Sequence, residues 1–188
     1  MKALLKFPQS IFGVALITAL ILMVPLVAMQ FTNEVNWSFS DFLIMGILLF
    51  STGLGYVLLT HYSPGLINRV AFGSAIGSTF LLIWVNLAVG LIGGGPNPGN
   101  LMYIGVVAIV IIGTYFSRFT SRGMERTMLA ASLAVILVAV IALLTGMQHY
   151  PGSSVGEIIG VNAFFVMLFA VSGLVFRKAA LEQAAKGK

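Results

Sequence analysis

The chain has 188 residues, 59% of them hydrophobic and only 8% charged, with a mean hydropathy of +1.05. A soluble domain carries roughly 25% charged residues, so this composition excludes an ordinary water-soluble globule and calls for lipid as the outer solvent. The formal charge of +5 is not a nucleic-acid footprint, because the basic residues sit at the ends of apolar runs, where they orient insertion and meet anionic lipid. The lack of cysteine excludes disulfides, thiolate catalysis and Cys-ligated metal.

Six apolar runs are each long enough for a bilayer, which takes about 20 residues per helix. The first covers Ser10–Phe31. Lys2 and Lys6 ahead of it give the layout of a signal peptide, but a signal core has only about 7–15 apolar residues. Leu26-Val27-Ala28 is also a poor cleavage site, so a retained first helix is expected. A short loop, Thr32–Asp41, holds Glu34, Asp41 and an interfacial anchor, Trp37. The second helix is predicted over Phe42–His61, followed by a Pro64-Gly65 turn and the third helix over Val70–Gly93. The loop Gly94–Asn100 reads GGPNPGN, turn chemistry with no regular structure expected. The fourth, fifth and sixth helices are predicted over Leu101–Phe119, Thr127–Met147 and Ile158–Phe176. Arg177 and Lys178 are read as the stop of the last helix, with Ala179–Lys188 as a basic tail.

These spans alternate in direction and sort the charges. One side receives all ten Lys and Arg residues with Glu125 and Glu182; the other receives Glu34, Asp41 and Glu157 and no base. Loops rich in Lys and Arg stay cytoplasmic, so both termini are expected inside. The reading is an all-α membrane protein, a compact bundle of six transmembrane helices forming one domain over residues 1–188. A faint repeat accompanies it: Gly46 to Tyr56 and Gly105 to Tyr115 share a spacing, and each pair is followed by a Ser-x-Gly turn. Parallel repeats of this kind occur in some transporters, but Gly, Pro and Tyr also recur by chance in membrane hairpins.

No Asp, Glu, Lys or Arg falls inside a predicted span. Intramembrane charges mark ion paths and proton relays, so coupled transport, pumping and voltage sensing are disfavoured, whereas a passive pore lined by backbone and hydroxyls is not. His61 and His149 are expected about a bilayer thickness apart, ~30 Å, too far for a shared metal or haem. No cofactor and no metal site are expected.

The span asparagines are the most informative polar residues. Asn86 and Asn162 are predicted at similar depth, roughly 7–10 Å below the outer surface at a rise of about 1.5 Å per residue. Thr79, Asn86, Gly90 and Gly93 fall on one face of a helix. A speculative polar pocket follows, built from Thr79, Asn86 and Asn162, roofed by Asn97 and Asn100, with Trp84 as an alternative ligand platform. The competing reading is interhelical hydrogen-bond glue. Gly73 and Gly77 make a GxxxG, and Gly53 and Gly55 offer a similar flat surface, both read as helix-packing positions. Asn36-Trp37-Ser38 fits a glycosylation sequon but is too common to carry weight.

The stretches NEVNWSFSDF (Asn33–Phe42) and WVNLAVGLIGGGPNPGNLMY (Trp84–Tyr103) resemble small multi-pass inner-membrane proteins of Gram-negative bacteria to which no activity is assigned. The resemblance spans about Asn33 to Gly146. It implies a bacterial inner membrane and a compact helical fold, and brings no catalytic residue or cofactor with it.

Three functions stay open on sequence. The first is a non-enzymatic integral membrane protein, acting as a homo-oligomer or as an accessory subunit of a larger membrane complex, with membrane lipids as its surroundings and no nucleic acid. The second is a passive channel or facilitator for a small neutral solute. The third is a lipid- or quinone-binding accessory protein.

Overall fold

A computed structural model describes residues 2–61, 65–94 and 97–186, with side chains for 10 to 185. The Ser63-Pro64 part of the expected turn, Gly95-Pro96 and the side chains of Lys2, Lys6, Lys186 and Lys188 lie outside that description. The described residues are helical with no strand, and six helices are long and apolar enough to cross a membrane. They are α1 (Lys2–Phe31), α2 (Phe39–His61), α3 (Leu66–Ala88), α4 (Met102–Phe116), α5 (Ser121–Leu144) and α6 (Val155–Lys186). Chain contacts divide them into two compact units, Met1–Tyr62 and Ser63–Lys188. The boundary falls between α2 and α3, inside the first hairpin of the faint sequence repeat.

The first unit is the hairpin of α1 and α2. The helices meet at small residues: a Cβ added at Gly53 would lie 2.7 Å from a Val14 methyl, and one at Gly46 would lie 3.4 Å from Leu22. Antiparallel pairing follows from Val14 opposing Gly53 while Leu22 opposes Gly46. The α2 start differs from the expected Phe42 because Ser38 and Asp41 form a reciprocal cap. The Ser38 N–H and Oγ–H both donate to Asp41 Oδ2 at 2.7 Å, and the Asp41 N–H approaches Ser38 Oγ at 3.4 Å. This satisfies backbone donors that a helix start leaves unpaired. Trp37 packs edge-on against Phe42 at 5.2 Å.

In the second unit α6 is central. It packs most extensively on α5 and next on α3, while α4 packs on α5. Its Phe165, Phe169, Phe176 and Ala179 are buried, at steps of 4, 7 and 3 that keep one helical face inward. Phe72 of α3 meets Phe176 edge-to-face at 5.1 Å. From α5 come Met124, Met128, Ala131, Val135, Val138 and Ala142, again on one stripe. Glycines allow the closest approaches: a Cβ at Gly113 of α4 would lie 2.5 Å from Thr127, and one at Gly173 of α6 would lie 3.2 Å from Leu129. Hydrogen bonds add to this where a hydroxyl would otherwise face hydrocarbon: Ser74 to Ser172 at 3.0 Å and Ser132 to the Val166 carbonyl at 3.2 Å.

Several boundaries in this unit depart from the sequence expectation for identifiable reasons. The α5 and α6 helices start earlier, at Ser121 and Val155, because Thr120 Oγ1 accepts the Gly123 N–H and Ser154 Oγ accepts the Glu157 N–H. Such N-caps are polar, so hydropathy misses them. The α3 helix ends at Ala88 rather than Gly93, since Gly90 and Gly93 turn the chain with φ of 77° and 69°. The α6 helix does not stop at Arg177-Lys178. Both side chains are exposed while Ala179 returns to the core, and the helix runs on to Lys186. Ala, Leu, Glu, Gln and Lys follow the pair, and these residues continue a helix readily.

At one end of this unit Ser121 bridges the starts of α3 and α5 and the end of α6, lying 3.2 Å from Asn68 Oδ1 and 3.3 Å from Gln183 Oε1. Arg69, Arg118, Arg122 and Arg126 lie at or beside the α3 start, the α4 end and the α5 start on this basic end, with Arg177 and Lys178 inside α6. The glycine-rich turn and the α5–α6 loop form the other end, joined by the Gly94 N–H donating to the Pro151 carbonyl at 2.9 Å.

Two substitutions on α4 separate packing from propensity. Gly113→Val collides with Thr127 and is expected to destabilise by about 1–3 kcal/mol, whereas Gly105→Val enters open space. Thermal unfolding in detergent should show a large fall in Tm for the first and little change for the second.

Candidate functional site

The polar residues singled out by sequence gather around one turn, though not as a single pocket. After α3 the chain reverses through Val89–Gly93, burying Leu91 and Ile92. Their two N–H groups would be orphaned without Asn100, whose Oδ1 accepts both at 2.9 Å while its Nδ2 donates to the Ile92 carbonyl at 3.3 Å. One buried side-chain amide thus replaces the helical bonds that the turn gives up. Asn97 caps the 3-10 helix Pro98–Leu101 by accepting the Gly99 N–H at 2.8 Å. A Cβ at Gly99 would lie 2.8 Å from Met147 Sδ, so the α5–α6 loop packs closely over the glycine. The segment read as structureless therefore holds a defined 3-10 turn.

Asn86 lies in the last turn of α3, nearer the helix end than its predicted depth. Its Nδ2 donates to the Asn100 carbonyl at 3.1 Å, and its Oδ1 is buried without a partner. Asn162, about two turns into α6, is satisfied on both atoms. Its Oδ1 accepts the Tyr103 hydroxyl at 2.8 Å and its Nδ2 donates to the Ile158 carbonyl at 2.8 Å.

Two clefts open on the α3–α4 side. The larger, about 610 Å³, is walled by the α3 end and the turn, including Asn86, Asn97, Asn100 and Ile104. The smaller, about 240 Å³, lies between Ile83, Asn86, Leu87, Tyr103, Ile104 and Val107. Asn86, Leu87 and Ile104 belong to both walls. No charged side chain lines either cleft. A separate cleft of about 630 Å³ at the basic end does carry charge, Lys178 and Glu182.

The remaining sequence candidates lie elsewhere. Thr79 bonds back to the Ala75 carbonyl at 2.8 Å. Trp84 stacks on Phe80 at 5.9 Å and is exposed. Neither lines a cleft, and Asn162 is sealed inside the bundle. Gly90 and Gly93, assigned to the Asn86 face of a helix, sit beyond that helix. Of the packing glycines, Gly53 receives Val14, Gly73 is half-buried, and Gly55 and Gly77 have open space beside them. His61 closes α2 in the first unit and His149 lies in a 3-10 turn of the second. Among the described residues, no three His, Cys, Asp or Glu converge on a metal-sized site.

Sequence reasoning missed Tyr103, whose hydroxyl satisfies Asn162, and the clamp role of Asn100. A lone tyrosine beside an Asn-Leu-Met run carries no periodic signal, and the clamp depends on a turn that hydropathy reads as helix. No protein-family model matches the chain, no curated protein matches it, and no solved structure matches it.

Removing each amide tests this division of labour. Asn100→Ala strands two buried N–H groups and should cost most, about 1–3 kcal/mol for each. Asn97→Ala loses a cap and should cost about 1 kcal/mol. Tyr103→Phe should cost about 0.6 kcal/mol, the average for a polar contact in a membrane protein. Thermal denaturation in one detergent should rank the three in that order.

Proposed function

We propose that the chain is a non-enzymatic integral membrane protein of the bacterial inner membrane, working as an oligomeric or accessory subunit through its membrane-embedded helix faces. The supporting observation is a division among its glycines. Gly53, Gly113 and Gly173 meet a neighbouring side chain and so serve packing within the chain. Gly13, Gly55, Gly77, Gly105 and Gly160, spread over five helices, have no heavy atom within 4 Å of where a Cβ would stand. A glycine inside a helix costs about 1 kcal/mol relative to alanine. Among the described residues nothing offsets the cost at these positions, whereas close approach of a partner helix does.

The polar groups favour this reading over a passive channel. Asn162, the deepest amide, is buried and saturated by Tyr103 and a backbone carbonyl, and Thr79 is turned back on its own helix. Neither is offered to a passing solute. The resemblance to multi-pass inner-membrane proteins and the excess of Lys and Arg on one side support the location and a cytoplasmic placement of both termini.

Two experiments test these points. Gly55→Leu and Gly77→Leu should leave the unfolding temperature nearly unchanged and abolish the higher-mass species seen by native mass spectrometry or crosslinking in native membranes. Retention of those species in both variants would refute association through these faces, and a chain that is monomeric in its native membrane would refute it outright. Orientation can be read on a cysteine-free background. Tyr150→Cys should react with an impermeant maleimide added to intact spheroplasts, and Arg122→Cys only after lysis.

A further inference from the structure

The orphaned oxygen of Asn86 and the two clefts beside it belong together. Its orientation is set by chemistry: the Asn100 carbonyl can only accept, so the Asn86 amide must present Nδ2 to it. Oδ1 is then left buried with no donor, an unfavourable state where water cannot complete the bond. The walls of the smaller cleft do not supply one. Leu82, Ile83, Leu87, Ile104 and Val107 are aliphatic, and the single hydroxyl hydrogen of Tyr103 is committed to Asn162.

We propose that the α3–α4 clefts bind a neutral amphiphile, whose hydroxyl donates to Asn86 Oδ1 and whose aliphatic chain lies along Ile83, Leu87, Ile104 and Val107. The missing group is a donor, because the orphan is an acceptor. The head is uncharged, because neither cleft carries a charge to pair with it, in contrast to the cleft at the basic end with Lys178 and Glu182. The tail is apolar, because the rest of the wall is. A combined space of this order matches ligand pockets, about 300–1,000 Å³. Oδ1 is shielded from a water-sized probe, so entry has to part the walls. Leu87 and Ile104, 63% and 61% exposed, are the side chains free to move. A glyceride and a quinol both carry this chemistry.

The test uses the purified full-length chain in detergent micelles and native mass spectrometry. The probes are 1-oleoylglycerol and a short-chain prenyl quinol, each against its hydroxyl-free counterpart, methyl oleate and the quinol dimethyl ether. At least one hydroxyl probe should bind about tenfold tighter than its counterpart, the scale of one hydrogen bond, and which of the two does so identifies the source. Asn86→Leu should remove that preference. Because it also removes one donor from the Asn100 carbonyl, Ile104→Trp and Val107→Trp are the companion variants. They fill the clefts, leave the Asn86–Asn100 bond in place and should abolish binding with unchanged circular dichroism. Equal binding of hydroxyl and hydroxyl-free probes overturns the proposal, as does full binding by both tryptophan variants or no binding of either hydroxyl probe. None of the open glycines Gly13, Gly55, Gly77, Gly105 and Gly160 is among the residues lining these clefts, so failure here leaves the association reading standing, and the reverse.

Discussion

In hydrocarbon no solvent completes a missing hydrogen bond, and that constraint organises this protein. Most of its intramembrane hydroxyls turn back on their own helices: Thr52 on Leu48, Thr60 on Tyr56, Ser78 on Ser74, Thr79 on Ala75 and Thr127 on Gly123. Those that cannot do so reach across to a neighbour, as Ser132 does to Val166 and Tyr103 to Asn162. The break in helical bonding after Ala88 is tolerated because Asn100 takes over the exposed N–H groups of Leu91 and Ile92. Against this economy the single unfilled amide oxygen among the intramembrane side chains, on Asn86, stands out as a place for something the chain does not itself provide.

The glycines follow a second logic. Lipid tails are as apolar as leucine, so helices in a bilayer gain by close packing rather than by hiding from solvent. Where Gly53 admits Val14, or Gly113 admits Thr127, the missing Cβ is filled by a neighbour within the unit. Where Gly55, Gly77 or Gly160 meets nothing among the described residues, the same gap stays unfilled. The two classes cannot be told apart by spacing: the GxxxG of Gly73 and Gly77 looks like an intrachain contact on paper, and its Gly77 is open.

Charge works at the ends. In the second unit the arginines and Lys178 gather at one end, where Ser121 reaches Asn68 and Gln183. The opposite set is closed by Gly94 against Pro151 and by Gly99 beneath Met147. Between these ends the interior is built from phenylalanine, methionine, alanine and valine, with a few amides and hydroxyls among them.

The sequence by itself determined the class of molecule, the number of spanning helices and the sorting of charge between loops, because hydropathy over about 20 residues and the placement of Lys and Arg are properties of single segments. It also marked Asn86 and Asn162 as residues needing partners, since an amide in lipid is costly wherever it falls. Helix ends were misplaced where polarity and helicity part company. Ser38, Thr120 and Ser154 cap helices with polar first turns, and the α6 helix outlives its own span past Arg177. Only the tertiary structure decided which amides are saturated, which glycines are filled, and that the chain divides between α2 and α3. Those outcomes depend on what stands across from each residue, and that neighbour is set by helix packing rather than by any pattern along the chain.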